Sequence, residues 1–241
     1  MRVAVLSDIH GFHPAFKTVL AELDRTGPYD RIVVAGDLFE AGPGPEIVLE
    51  LLLERGYPAV MGNTDMEILE ASREGAPDDE IKYALDRLGP KGVAFISKLR
   101  MTDRISPPGG NGPEDDLLVV HANPRNLLDR LDPEYSDDEL NQVIGDVRAA
   151  AIAFGHYHVC YQRRVNGRLL LDVSAVGNPK DGKLCCKFGV LTWDESKRNW
   201  DGEIVELPYP LAETEKAMRK SGMPNWEKAL KKLKRATYKQ R

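Results

Sequence analysis

Cysteine is scarce in this sequence, and no two cysteines are spaced for a shared task. There are three in 241 residues, Cys160, Cys185 and Cys186. The number is odd and there is no C-x-x-C pair, which points away from a disulfide framework or a zinc ribbon. Cys185 and Cys186 would face opposite sides of a strand and could not share one metal, so all three read as ordinary buried thiols. Long apolar runs are lacking too. No stretch approaches the ~20 residues that span a bilayer. The opening run 3–6 is broken at once by Asp8 and His10, unlike a secretion signal. The expectation is a soluble, cytoplasmic protein with no membrane partner. Internal repeats and low-complexity linkers are also missing, so residues 1–241 read as one domain.

Apolar residues make up 42% of the chain, enough for a sizeable core. The net charge of −5 is unevenly placed. Residues 216–241 hold ten Lys/Arg and one acid, a local +9, which leaves −14 on the rest. An acidic body suits carboxylates gathered around cations. The basic segment, with Lys228, Lys231, Lys232, Lys234, Arg235, Lys239 and Arg241, also carries Trp226, Leu230 and Leu233 at helical spacing. It reads first as an amphipathic helix packed on the body with a solvated basic face. Nucleic-acid binding is the alternative reading of such density.

The hydrophobic pattern predicts a β-α-β-α-β start. Strands are expected at 2–7, 31–35 and 57–61, with helices at 14–25 and 45–55. Residues 65–99 have helical spacing broken at Gly75-Ala76-Pro77 and Gly89-Pro90, and 107–116 is a loop. Further strands are expected at 117–120 and 150–154. Between them lies a helix over 137–148, with Ser136 and Glu139 forming a capping box. Residues 158–207 read as consecutive strands with hairpin turns at Asn166-Gly167 and Asp181-Gly182. Two helices follow, near 211–221 and 225–236.

The chemistry sits where these strands end. Asp8, His10, Asp37, Asn63, His121, His156 and His158 all lie at or just beyond an apolar strand. In an open α/β sheet the carboxyl ends of the strands form the binding crevice. A lone histidine there is most often structural. Two carboxylates and four imidazoles together repel or compete unless cations organise them. Imidazole plus carboxylate, without thiolate, suits Mn, Fe, Zn or Ni rather than Ca. Seven ligands suit two metals sharing one carboxylate. Asp8 and His10, two apart, would share one face of an extended chain.

These motifs resemble a known family. Asp8-Ile-His10, Gly36-Asp37, Gly62-Asn63-x-Asp65, His121 and Gly155-His156-x-His158 are similar, in order and spacing, to the calcineurin-like metallophosphoesterases. Gly42-Pro43-Gly44-Pro45 and Val176-Gly177-Asn178-Pro179 resemble their small bacterial and archaeal phosphodiesterase-type branch. The resemblance implies an α/β protein, a four-layer α/β/β/α sandwich, with residues 66–115 as a small helical cap and 211–241 as C-terminal helices. It implies one metal held by Asp8, His10, Asp37 and His158. Asp37 would bridge to a second held by Asn63, His121 and His156. Manganese is favoured, and a hydroxide between the metals would attack phosphorus in line. Asp37, Asn63, His121 and Asp65 would then be the catalytic set. The expected function is a metal-dependent phosphoric ester hydrolase, foremost a phosphodiesterase acting on a phosphate-ester small molecule or nucleotide. The alternatives are a phosphomonoesterase or nucleotide phosphatase, a nuclease-like protein, or an idle scaffold of the same fold.

The sequence departs from that family at informative places. Thr64 stands where many relatives have a histidine that protonates the leaving group. A positioned general acid contributes ~10²–10⁴-fold, so esters with poor leaving groups should react slowly. Substrate contacts are therefore expected from Asn63, Thr64, His13 and Arg125. His13 is either a substitute acid or a polar residue starting the first helix. Arg125 is either a phosphate contact or a surface arginine. Phe12 could stack on a base or pack on a cap. The Gly-Asp-x-x-Asp-Arg-Gly segment of protein phosphatases is here Gly36 to Gly42 with Glu40 and no arginine. That argues against a protein phosphatase and against diadenosine tetraphosphate hydrolases of the same type.

Overall fold

The computed structural model describes residues 1–237; Lys239 and Arg241 of the basic segment lie outside the described residues. One sheet has the order β2-β1-β8-β9, from β1 (Arg2–Leu6), β2 (Arg31–Val34), β8 (Cys185–Asp194) and β9 (Asn199–Pro208). The other has the order β3-β4-β5-β7-β6, from β3 (Thr102–Ile105), β4 (Leu117–Val120), β5 (Ala151–Phe154), β6 (Tyr161–Val165) and β7 (Arg168–Asp172). The sheets stack face to face. On the outside of the first lie α1 (His13–Thr26), α2 (Pro45–Arg55), α3 (Asn63–Glu74), α4 (Asp79–Ile96), α6 (Leu211–Ser221) and α7 (Trp226–Arg235). On the outside of the second lies α5 (Asp137–Ile144). This is the expected four-layer α/β/β/α sandwich.

Alternation explains why the strands read as unbroken apolar runs. In β1, Val3 and Val5 point into the core between the sheets, while Ala4 and Leu6 point under the helices. In β4, Leu117 and Val119 face the other sheet, and Leu118 and Val120 face α5. Both faces of each strand are buried, so both sets must be apolar. The parallel pairs β1–β2, β4–β5 and β5–β7 bring the carboxyl ends of five strands to one edge. Pro45 opens α2 and left-handed Gly56 closes it. Ser136 and Glu139 form the expected capping box of α5, which stops at Ile144 because Gly145 takes φ 68°.

Several expectations need correction. Residues 57–61 are not a full strand, only two bridges, Val34 to Ala59 and Val60 to Arg100. Pro58 has no N–H to give to a ladder. The edge strand β3 went unpredicted because its TDRI sequence offers one buried apolar residue, Ile105. Segment 66–115 divides. Ile68, Leu69, Ile81, Ala84 and Leu88 of α3 and α4 join the helical layer over the first sheet, and β3 extends the second. Asn166-Gly167 does turn the β6–β7 hairpin, but Asp181-Gly182 does not turn one. It lies in the loop that crosses from β7 in one sheet to β8 in the other, and it pairs with Thr237 and Ala236 after α7. Of the cysteines only Cys186 is buried, while Cys160 and Cys185 are half-buried.

That crossing loop is pinned by a buried charge. Lys187 on β8 is fully buried, and its ammonium donates to Asp181 Oδ1 at 3.1 Å and to the Lys183 carbonyl at 3.3 Å. Removing Asp181 strands a fully buried ammonium, whereas removing Lys187 leaves a carboxylate that is partly exposed and still accepts from Lys183 N. Asp181→Ala should cost about 3 kcal/mol and Lys187→Met much less. Urea midpoints would measure both, and equal losses would contradict this account.

Candidate metal centre

Five loops at the shared strand edge are knitted together by their main chains. Asp8 N donates to the Gly36 carbonyl, Gly155 N to the His121 carbonyl and Gly177 N to the Asp8 carbonyl. Two glycines allow this contact. A Cβ at Gly36 would fall 2.7 Å from Gly62 N and 2.9 Å from His121 Nδ1, and one at Gly155 would fall 2.1 Å from Ser7 Oγ and 2.3 Å from Asp8 Oδ2. The backbone at Asp8, His10, Asp37, His156 and His158 has φ between 50° and 72°. Left-handed backbone in such residues costs about 1–3 kcal/mol each and persists where surrounding structure imposes it. Asp8 and His10 therefore meet through a turn, not through the extended chain their spacing suggested.

Each of the four clustered histidines gives its ring proton to a main-chain carbonyl. His121 Nδ1 donates to Ala35 O at 2.8 Å and His156 Nε2 to Leu128 O at 3.2 Å. His10 Nδ1 donates to Glu40 O at 3.1 Å and His158 Nδ1 to Asn178 O at 2.5 Å. A carbonyl only accepts, so the four opposite nitrogens face inward as lone pairs. They meet in two places. His10 Nε2 lies 3.2 Å from His158 Nε2, beside Asp8. His156 Nδ1 lies 3.2 Å from His121 Nε2, and Asn63 Oδ1 lies 3.0 Å from each. Asp37 reaches both places, with Oδ2 3.5 Å from His10 and Oδ1 3.4 Å from His121.

Such a convergence is repulsive without a cation. Asp8 Oδ1 is buried and accepts no hydrogen bond. One ligand atom each from Asp8, His10, Asp37 and His158 lies within 4.8 Å of the others. Nitrogen and carboxylate oxygen with no thiolate suit a divalent transition metal. Burial opposes an imidazolium at His10, but the carboxylates of Asp8, Glu40 and Asp37 hold it well above the usual range. Burial likewise opposes charge on Asp8, yet His158 and His10 keep it well below the usual carboxylate range. Burial and then the neighbouring His121 lower His156.

Other residues named from the sequence take different places. Asp65 is fully buried, and its two oxygens accept from Leu38 N and Gly62 N, each at 3.0 Å. It ties the Asp37 loop to the Asn63 loop, a positioning task. Burial and then Asp37 push its carboxyl up to about 7. Thr64 N donates to Asp37 Oδ1 at 3.0 Å, and the Thr64 hydroxyl is buried without a partner. His13 packs against Gly44 and lines a separate groove between α1 and α6, and burial and then Lys17 lower it to about 4. Arg125 turns away to the Gln142 carbonyl and lies against Gly145. Phe12 is buried and touches the cavity beside Glu40. The carbonyls of Ala35, Glu40, Leu128 and Asn178 were not foreseen, since any residue supplies a carbonyl.

The sequence pattern of the calcineurin-like phosphoesterases matches residues 1–160. The chain belongs to that family. The chain is 28% identical to an uncharacterized protein of Methanocaldococcus jannaschii over 93% of its own length and 94% of that protein's. It is 27% identical to a symmetrical bis(5'-nucleosyl)-tetraphosphatase of Delftia acidovorans over 62% of its own length, and it spans about half of that enzyme, 51%. Among solved structures, a metallophosphoesterase from Sphaerobacter thermophilus superposes over 98% of this chain and 100% of that one, with a TM-score of 0.77 and 21% identity. A hypothetical protein from Pyrococcus horikoshii superposes over 98% of each chain with a TM-score of 0.79 and 16% identity. These last two likenesses establish the shared fold of this family member. Among the described residues no helix is long and apolar enough to cross a membrane.

The tight packing behind Asp8 yields a test away from the ligands themselves. Gly155→Ala would push Ser7 and Asp8 aside and should lower bound metal per chain well below wild type. Elemental analysis of purified protein measures this, and full metal content in the variant would refute it.

Proposed function

We propose that this protein is a phosphoric ester hydrolase dependent on two divalent cations, with phosphodiesters of small molecules or nucleotides as its substrates. The observation that carries the reading is the double convergence of lone pairs, at His10–His158 and at His121–His156, with one oxygen of Asp37 directed to each. Asp8, His10, Asp37 and His158 would hold one cation, and Asp37, Asn63, His121 and His156 the other. Manganese, iron, zinc or nickel suit these donors, manganese first. Such cations, when bound, supply charge for the phosphoryl oxygens and a water acidified toward neutrality.

The chain's own residues do the positioning. Ala35, Glu40, Leu128 and Asn178 lock the imidazole tautomers, and Asp65 fixes the spacing of the Asp37 and Asn63 loops. Thr64 gives its main-chain N–H to Asp37, and its hydroxyl is too weak an acid to protonate a departing alkoxide. With His13 facing another groove, no histidine outside the ligand set is placed to replace it. Leaving groups that depart as stable anions therefore suit this site. The nucleosyl-tetraphosphatase named above supports a nucleotide substrate as the second reading.

Hydrolysis of bis-p-nitrophenyl phosphate with added manganese should be abolished by chelator. Asp37→Asn should reduce it more than the ~10–100-fold that losing an outer-shell partner costs. Turnover indifferent to both would end the hydrolase reading. Aryl phosphodiesters should exceed matched alkyl diesters by ~10²–10⁴-fold in kcat, and equal rates would remove the argument from Thr64.

A further inference from the structure

A cavity of about 760 Å³ lies beside the ligand cluster. Glu40 and Asn178 line it, and their carbonyls hold His10 and His158. Helix α7 forms another wall. Leu230 and Leu233 are the buried side of that helix. Lys228, Lys232 and Arg235, four and three apart, share another side, and that side lines the cavity. Lys180, two residues after Asn178, is a fourth cation in the lining. Neighbouring ion pairs belong to other residues, Lys187 with Asp181 and Lys234 with Glu215. Among the described residues none of the four lining cations makes an ion pair.

The wall is held in place. Gly182 N donates to the Ala236 carbonyl at 2.7 Å, Asp181 pairs with Thr237, and Lys234 reaches Glu215 at 3.0 Å. The helix thus sets the stems of three cations beside Lys180 around one space, against the two carboxylates of Glu40 and Glu80. The rest of the body is strongly acidic and repels polyanions, so a local cationic wall is what would draw one in. The volume falls in the range of small-molecule sites, and Phe12, Met223 and Ala229 offer apolar lining.

We propose that the α7 face and Lys180 form a subsite for a phosphate that is bound but not cleaved. The preferred substrates are phosphoesters carrying a second phosphate or pyrophosphate group beyond the scissile one. This rests on the hydrolase reading above for the identity of the scissile group, but the subsite itself can be tested without metal.

Chelator-treated full-length protein is titrated calorimetrically with inorganic tripolyphosphate. Saturable binding is expected, weakened about tenfold or more in Lys228→Ala/Lys232→Ala. Lys231→Ala, whose side chain lines a different groove with Glu227 and Lys234, should bind as wild type does. Lys228→Gln/Arg235→Gln serves if the first pair fails to fold. No saturable binding at millimolar tripolyphosphate, or equal weakening by Lys231→Ala, overturns the subsite. Chelator-sensitive hydrolysis of bis-p-nitrophenyl phosphate, run on the same preparations, separates the two ideas. Turnover without tripolyphosphate binding sinks the subsite alone, and binding without turnover sinks the hydrolase reading alone.

Discussion

Inward-facing lone pairs converging on one edge are the constraint around which this molecule is arranged. Each imidazole is pinned from outside by a main-chain carbonyl, at Ala35, Glu40, Leu128 or Asn178. Its bare nitrogen is therefore forced toward its neighbour. Rigid surroundings hold the imidazoles in that arrangement. The sheet-to-sheet core of Val3, Val5, Leu117, Val119, Ala151 and Ala153 lies directly behind the ligand loops. Packing of that density keeps left-handed residues such as Asp8 and His156 from relaxing.

Much of this was legible in the sequence, and the reasons differ by element. Strands buried on both faces must be apolar throughout, so β1, β4 and β5 stand out, and the polar residues that end them stand out with them. Proline, glycine and the capping box mark the limits of α2 and α5. The cluster of carboxylates and imidazoles was legible because it is built from side chains. What escaped depends on the backbone or on direction. A carbonyl acceptor has no residue preference, and no spacing rule reveals that His10 sits at φ 50°. Edge pairings such as 57–61 and β3 rest on too few apolar residues to register. The stripe of Trp226, Leu230 and Leu233 indicated which side of α7 is buried. It could not show that part of the exposed basic side would border a cavity.

Charge is distributed in two tiers. Carboxylates and imidazoles occupy the strand edge, and lysines and arginine occupy the helix beside it, joined through the loop that carries Asn178, Lys180 and Asp181. That loop crosses between the sheets, holds His158 through a carbonyl and receives the end of α7. Recognition and ligand geometry are therefore mechanically connected, and a change at Asp181 would be felt at both.

The clustered side chains are also drawn from both halves of the sandwich. Asp8, His10 and Asp37 follow strands of one sheet, and His121, His156 and His158 follow strands of the other. Any ion held there would act as a clasp, tying positions near the amino terminus to positions some 150 residues later much as a long-range cross-link does. By mass action such an ion would favour the folded chain over the open one, so its occupancy would set how firmly the two sheets stay joined.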